Sequence, residues 1–156
     1  MTVNKKTLFL RCAVIATVVM IFSFSLQNEE ASMQQSDSVA EFLQAGIDFV
    51  EDSIGMDVNI RKIGHFSEFA LLGAELLLLY TFSGKRRSSE LFNVFGAGLT
   101  VAVFDESIQL LVPGRSGQIT DVLIDMSGFL SGALIAFGIY HLIRHIRKKY
   151  SVKGEK

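Results

Sequence analysis

Apolar residues run along this chain in long blocks, and ionisable side chains break into those blocks at recurring places. A stretch of about 20 apolar residues crosses a bilayer core as a helix. Four stretches meet that length: Thr7–Leu26, interrupted only by Arg11; Gly64–Phe82, carrying His65, Glu68 and Glu75; Leu91–Val112, with Asp105 and Glu106 in its second half; and Val122–Ile143. The pattern predicts an all-α integral membrane bundle of four spans forming a single domain over residues 1–156. Burial of the two middle segments inside a soluble protein is the competing reading, and the close spacing of four such blocks argues against it.

Between the first two blocks, 27–60 is too polar to span. Ser38-Val39-Ala40-Glu41 fits a capping box with Ser38 as N-cap. Val39, Phe42, Leu43, Ile47, Val50 and Ile54 then recur at helical spacing, with Glu41, Asp48, Glu51 and Asp52 on the other side. This predicts an amphipathic helix that caps the spans or, more sharply, forms a lid over their polar residues. Its acidic face disfavours anionic lipid headgroups and favours packing on protein.

Composition adds little beyond confirmation: 49% hydrophobic residues, one Pro and no Trp, with a mean hydropathy of +0.38. The single Cys12 excludes a disulfide framework and a Cys-based metal site. The first block also has the outline of a signal peptide, with Ser23-Phe24-Ser25 as a weak cleavage site, although an uncleaved anchor fits the later spans better. Charge distribution is more informative. Lys5, Lys6, Arg11, Lys85, Arg86, Arg87, Arg144, Arg147, Lys148, Lys149, Lys153 and Lys156 all fall in segments that alternating spans place on one side. Only Arg61, Lys62 and Arg115 fall opposite. The positive-inside rule therefore predicts two cytoplasmic termini in the cell membrane.

That orientation would bring three separate polar segments to one depth near the outer surface. Lys62, His65 and Glu68 follow at i+3 steps on one helical face, with Glu75 deeper on the same face. Gln109 lies within reach of Asp105 and Glu106, although adjacent acids point about 100° apart, so one of them should turn toward a neighbouring helix or the following loop. Asp121 suits the first turn of the last span by the helix dipole, whereas Asp125, one turn later, does not need to be there for capping. A charge at the bilayer centre costs on the order of 2.5–3.5 kcal/mol by insertion scales, so these groups must pair, reach the interface or serve a site. For Arg115, on the Gly114-Arg115-Ser116-Gly117 turn, the conservative assignment is a salt bridge to Asp105, Glu106, Asp121 or Asp125; the sharper one is a lipid phosphate or pyrophosphate, since guanidinium favours two-point contacts. Gly128 and Gly132 form a small-xxx-small pair for close helix approach, most simply within the chain.

Phe22-Ser-Phe-Ser-Leu-Gln27, Lys62-Ile-Gly-His-Phe-Ser-Glu-Phe69, Asp105-Glu-Ser-Ile-Gln109, Pro113-Gly-Arg115, Asp121-Val122, Gly128 and Gly132 occur here in the order and spacing of a known signature. On these residues the chain resembles the VanZ-like family of bacterial membrane proteins, named for a glycopeptide (teicoplanin) resistance determinant. The resemblance implies a compact protein of about four spans and makes Lys62, His65, Glu68, Asp105, Glu106, Gln109, Arg115 and Asp121 signature residues. Asp125 departs from it, since the family often has Asn there, and Glu75 stands outside it.

Three functional expectations follow. In the leading one, an outward polar pocket of Lys62, His65, Gln109, Arg115, Asp121 and Asp125 engages a membrane lipid or lipid-linked cell-wall molecule, with reduced access of lipophilic glycopeptides as one consequence. It assigns no metal ligand and no nucleic-acid partner and leaves the cofactor unknown. In the second, an outer-leaflet hydrolase or transferase uses His65, Glu68, Asp105 and Glu106 for acid–base chemistry. That version allows a divalent metal held by His65, Glu68 and acids of the third and fourth spans. The third is an ion or proton pathway, for which Glu75 is the only deep polar group.

Overall fold

The computed structural model describes residues 4–54, 59–84, 88–115 and 117–151. Lys85, Arg86, Arg87, Ser116, Lys153 and Lys156, which figure in the charge and loop reading, lie outside the described residues, as do the side chains of Val50 and Ile54. Five helices follow in order: α1 (Lys5–Ser25), α2 (Glu29–Ile54), α3 (Ile60–Phe82), α4 (Ser88–Gln109) and α5 (Ile119–Ser151). Four of them, all but α2, are long and apolar enough to cross a membrane. The fold is an all-helical bundle, as the apolar blocks predict.

Side-chain caps set several boundaries. Asn4 and Asn59 accept from the backbone N–H of Lys6 and Lys62, opening α1 and α3. The start of α2 departs from the capping-box expectation. Asn28 accepts from the N–H of Ala31, and Glu29 and Glu30 occupy the favourable first turn. Ser38 is therefore mid-helix, where its hydroxyl donates back to the carbonyl of Gln34. A stronger cap ten residues upstream overrides the predicted one. α4 ends at Gln109, three residues before the predicted Val112, because the chain enters the Pro113-Gly114 turn. There Arg115 N–H bonds the carbonyl of Val112, and Gly114 takes φ +84°, a conformation open to glycine but strained for other residues.

Chain direction puts the ends of α1 and α4 and the starts of α3 and α5 together, and this end of the bundle holds the signature residues. The opposite end carries the cations of the α1 start and the α5 tail. There Lys6 lies over the Phe82 ring, and Phe82 meets Tyr140 edge to face. The core is narrow, built on Ile21, Phe69, Leu72, Ala102, Met126 and Phe129. Leu8, Phe9, Ile15, Leu134 and Ile135 face outward from the bundle, as lipid-facing positions should.

The tightest joint is the parallel pair α3–α5. A Cβ added at Gly128 would fall 2.2 Å from the carbonyl oxygen of Phe66, one at Gly132 1.8 Å from that of Ala70, and one at Gly73 2.0 Å from that of Phe129. The small-xxx-small pair thus works within the chain, letting backbone touch backbone. Gly132→Ala should destabilise the bundle by at least about 1–3 kcal/mol, the usual cost of overpacking. Gly138→Ala, where a Cβ meets nothing within 4 Å, should leave stability unchanged. Thermal unfolding in detergent followed by circular dichroism separates the two, and equal melting temperatures would contradict this packing.

Candidate functional site

At the signature end, α3, α4 and α5 converge on a buried carboxylate cluster. Asp105, Asp125 and Gln109 have no exposed surface, and Glu106 and Asp121 are also buried. His65 Nδ1 lies 3.3 Å from Asp125 Oδ1 and 3.6 Å from Asp105 Oδ2. Gln109 Nε2 donates to Asp105 Oδ2 at 3.0 Å and to Glu106 Oε1 at 3.2 Å. Its carbonyl oxygen accepts from Arg61 Nη2 at 2.8 Å. The amide therefore presents its donors to the acids and its acceptor to the cation. Gln109 is a connector inside the protein, whereas the sequence placed it among the pocket residues.

The two adjacent acids divide as the 100° argument requires. Asp105 looks inward, accepting from the Ser25 hydroxyl at the end of α1. Glu106 reaches the following loop, where Oε2 accepts from the N–H of Gln118 at 2.8 Å. Both still belong to one group: ligating atoms of His65, Asp105, Glu106 and Asp125 all lie within 4.8 Å of one another. Glu68 does not join it and sits instead in the wall of a neighbouring cavity. Because Ser25 donates to Asp105 and not to His65, the cluster does not form a Ser-His-Asp relay.

Arg115 does not make the expected salt bridge: among the described residues no ion pair joins it to an acid. Its Nη1 donates to the backbone carbonyls of Phe24 (2.9 Å), Ser25 (3.3 Å) and Gln27 (3.2 Å). Helix C-termini leave carbonyls without partners, and a cation there also suits the dipole. Arg115 thus closes the end of α1 rather than bridging to an acid. Burial, and then the like charge of Arg61, push its guanidinium below the ordinary arginine range, while the carboxylates of Asp105, Glu106 and Asp121 oppose that shift.

Two cavities flank His65. The larger, about 670 Å³, opens between α2, the end of α1 and the start of α3. Val39, Phe42, Leu43, Ile47, Ile60 and Ile63 supply apolar walls, and Arg61, His65, Glu68 and Arg115 its polar part. The smaller, about 250 Å³, is lined by Asn59, Arg61, Lys62, His65, Gln118, Asp121 and Ile124. Lys62 is exposed at this second cavity and is not among the residues lining the first. The sequence reading missed Arg61, counted only as an outer cation, and gave Ser25 no role at the site. Arg61 lies one turn before His65 on α3, so helical spacing alone could have flagged it. Ser25 gave no signal except its place in Phe22–Gln27. Deep in the bundle, Glu75 lies beside Thr17 of α1, with one oxygen lacking a hydrogen-bond partner.

Four apolar helices around a polar cluster at one end define a multi-pass membrane protein. A family model described as VanZ/LLP1 matches residues 10–144, and the chain belongs to that family. Searches of curated proteins and of solved structures returned no match.

The capping role of Arg115 is testable. Arg115→Ala should cost about 1.5–3 kcal/mol, the range for hydrogen bonds to a charged group. Arg115→Lys should recover only part of this, because an ammonium lacks the guanidinium fork. Chemical unfolding in micelles measures both, and wild-type stability for the alanine variant would remove the cap from the account.

Proposed function

We propose that this VanZ/LLP1 protein binds an anionic amphiphile, a membrane lipid or lipid-linked envelope molecule, in the cavity beneath α2. One observation carries the reading: a single space of about 670 Å³ joins an apolar wall to a polar end bearing two guanidinium groups. Ligand sites of this size combine mostly apolar walls with a few polar groups that fix orientation. The apolar stripe of α2 lies along this space, so the amphipathic helix is the roof of the cavity. An acyl or prenyl chain fits against Val39, Phe42, Leu43 and Ile47, and a phosphate group fits the charge of Arg61 and Arg115. Arg61 takes the part expected of Lys62, which stays available to the smaller cavity. His65 and Glu68 complete the polar end.

The cation bias of the loops supports placing this end at the outer leaflet with both termini cytoplasmic. In that orientation, engagement of envelope amphiphiles offers one route to lowered surface access of lipophilic glycopeptides such as teicoplanin.

Gly46 and Gly64 line the cavity, and a Cβ at either meets nothing within 4 Å. Gly64→Leu should therefore fill the space without disturbing the bundle and weaken binding of a fluorescent phosphatidylglycerol about tenfold or more, since tenfold corresponds to about 1.4 kcal/mol. Arg61→Gln should reduce the preference for phosphatidylglycerol over phosphatidylcholine. Arg115→Ala is the poorer probe because it also uncaps α1. Unaltered lipid binding by a folded Gly64→Leu protein would remove this reading. For orientation, single cysteines at Gln118 and Lys149 in a Cys12→Ser background should behave oppositely toward a membrane-impermeant maleimide on intact cells. Labelling at 118 alone is expected; labelling at 149 alone inverts the topology.

A further inference from the structure

Behind the polar end of the cavity, three carboxylates and an imidazole converge without enough hydrogen bonds to account for all of them. Asp125 is fully buried, and neither of its oxygens has a hydrogen-bond partner; His65 Nδ1 has none either. Their 3.3 Å approach brings two donor atoms close without an aligned hydrogen bond. Buried polar groups are almost always satisfied, so a buried carboxylate whose one close polar partner is an unaligned imidazole needs a reason.

We propose that His65, Asp105, Glu106 and Asp125 bind one divalent transition-metal cation, with Mn²⁺ as the best match to the donor set. Donors on one octahedral ion with bonds of about 2.1 Å stand about 3.0 Å apart when adjacent and about 4.2 Å when opposite. The His65 separations of 3.3 and 3.6 Å fall inside that span. The full set, within 4.8 Å, needs to close by about half an ångström to reach the octahedral limit. Three hard oxygen donors with one imidazole suit Mn²⁺; Zn²⁺ is the natural competitor, and the lack of thiolates argues against softer ions.

The surrounding hydrogen bonds fit the same purpose. Ser25 and Gln109 orient Asp105, while Gln109 and the Gln118 N–H orient Glu106. Such outer partners hold ligating carboxylates in place and leave further lone pairs for the metal. Asp125 has no outer hydrogen bond, so the cation would be its principal partner. His65 borders both cavities, which supplies a route for entry.

This inference goes beyond amphiphile binding and does not rest on it, because the probe is the metal alone. The full chain is purified in detergent, stripped with EDTA, freed of chelator and titrated with Mn²⁺, with free Mn²⁺ read by electron paramagnetic resonance. One saturable equivalent per chain is expected, together with a rise in melting temperature, and Zn²⁺ should displace it. Asp125→Asn and His65→Ala should each weaken binding by at least about tenfold, a loss that even outer-partner substitutions can cause. Glu75→Gln, an intramembrane acid outside the set, should bind as wild type. Failure of the wild-type chain to take up either cation saturably overturns the proposal, whatever the variants do. So does stoichiometric binding that survives both ligand substitutions.

Discussion

The carbonyl oxygen of Phe66 rests on Gly128, and the polar site depends on that contact. His65 precedes Phe66, and Asp125 lies three residues before Gly128. Where two parallel helices touch through backbone, their neighbouring side chains have nowhere to diverge. Gly132 against Ala70 repeats the contact one turn on, so the register of α3 against α5 is fixed at two heights. A larger residue at either glycine would separate the helices and draw His65 away from Asp125. In lipid, where apolar faces gain little by meeting each other, such close approach is a main source of helix association. The packing that holds the bundle together therefore also sets the geometry of its chemistry.

The surrounding network explains how so many carboxylates persist in one place. Arg61 reaches the acids through Gln109 rather than by direct contact, and Arg115 contributes its charge while its hydrogen bonds go to α1 carbonyls. Both cations also line the large cavity. A bound anion would draw on positive charge that the buried acids draw on as well. On the proposed function, headgroup engagement would be electrostatically linked to the state of the cluster through these two shared residues.

Much of this was legible in the sequence because membrane spans follow a simple rule of length and polarity. The four blocks became α1, α3, α4 and α5 because a helix of about 20 residues satisfies its whole backbone within one segment in lipid. The motif residues from His65 to Asp125 met because hairpin-like connections bring span ends together. Other features depend on tertiary partners that periodicity does not encode. Ser25 looks like an ordinary small residue until Asp105 is placed opposite it. Arg115 looks like an ion-pair partner because sequence shows nearby acids but not the open carbonyls of another helix. At Ser38, a sound local signal lost to Asn28 with its two following glutamates, since a cap counts only where the preceding turn is not already helical. Arg61 was the avoidable omission, being one turn from His65.

α5 has a mechanical consequence of its own. Its 33 residues make a rod about 50 Å long, against a hydrocarbon slab of about 30 Å. The surplus lies at the tail, where Arg144, Arg147, Lys148 and Lys149 resist being drawn into oil. Gly128 and Gly132 lock the same rod to α3. The basic tail therefore acts as a depth stop, fixing the distance of His65 and its acids from the tail-side surface, so that a thinner or thicker bilayer changes how far they lie beneath the opposite one.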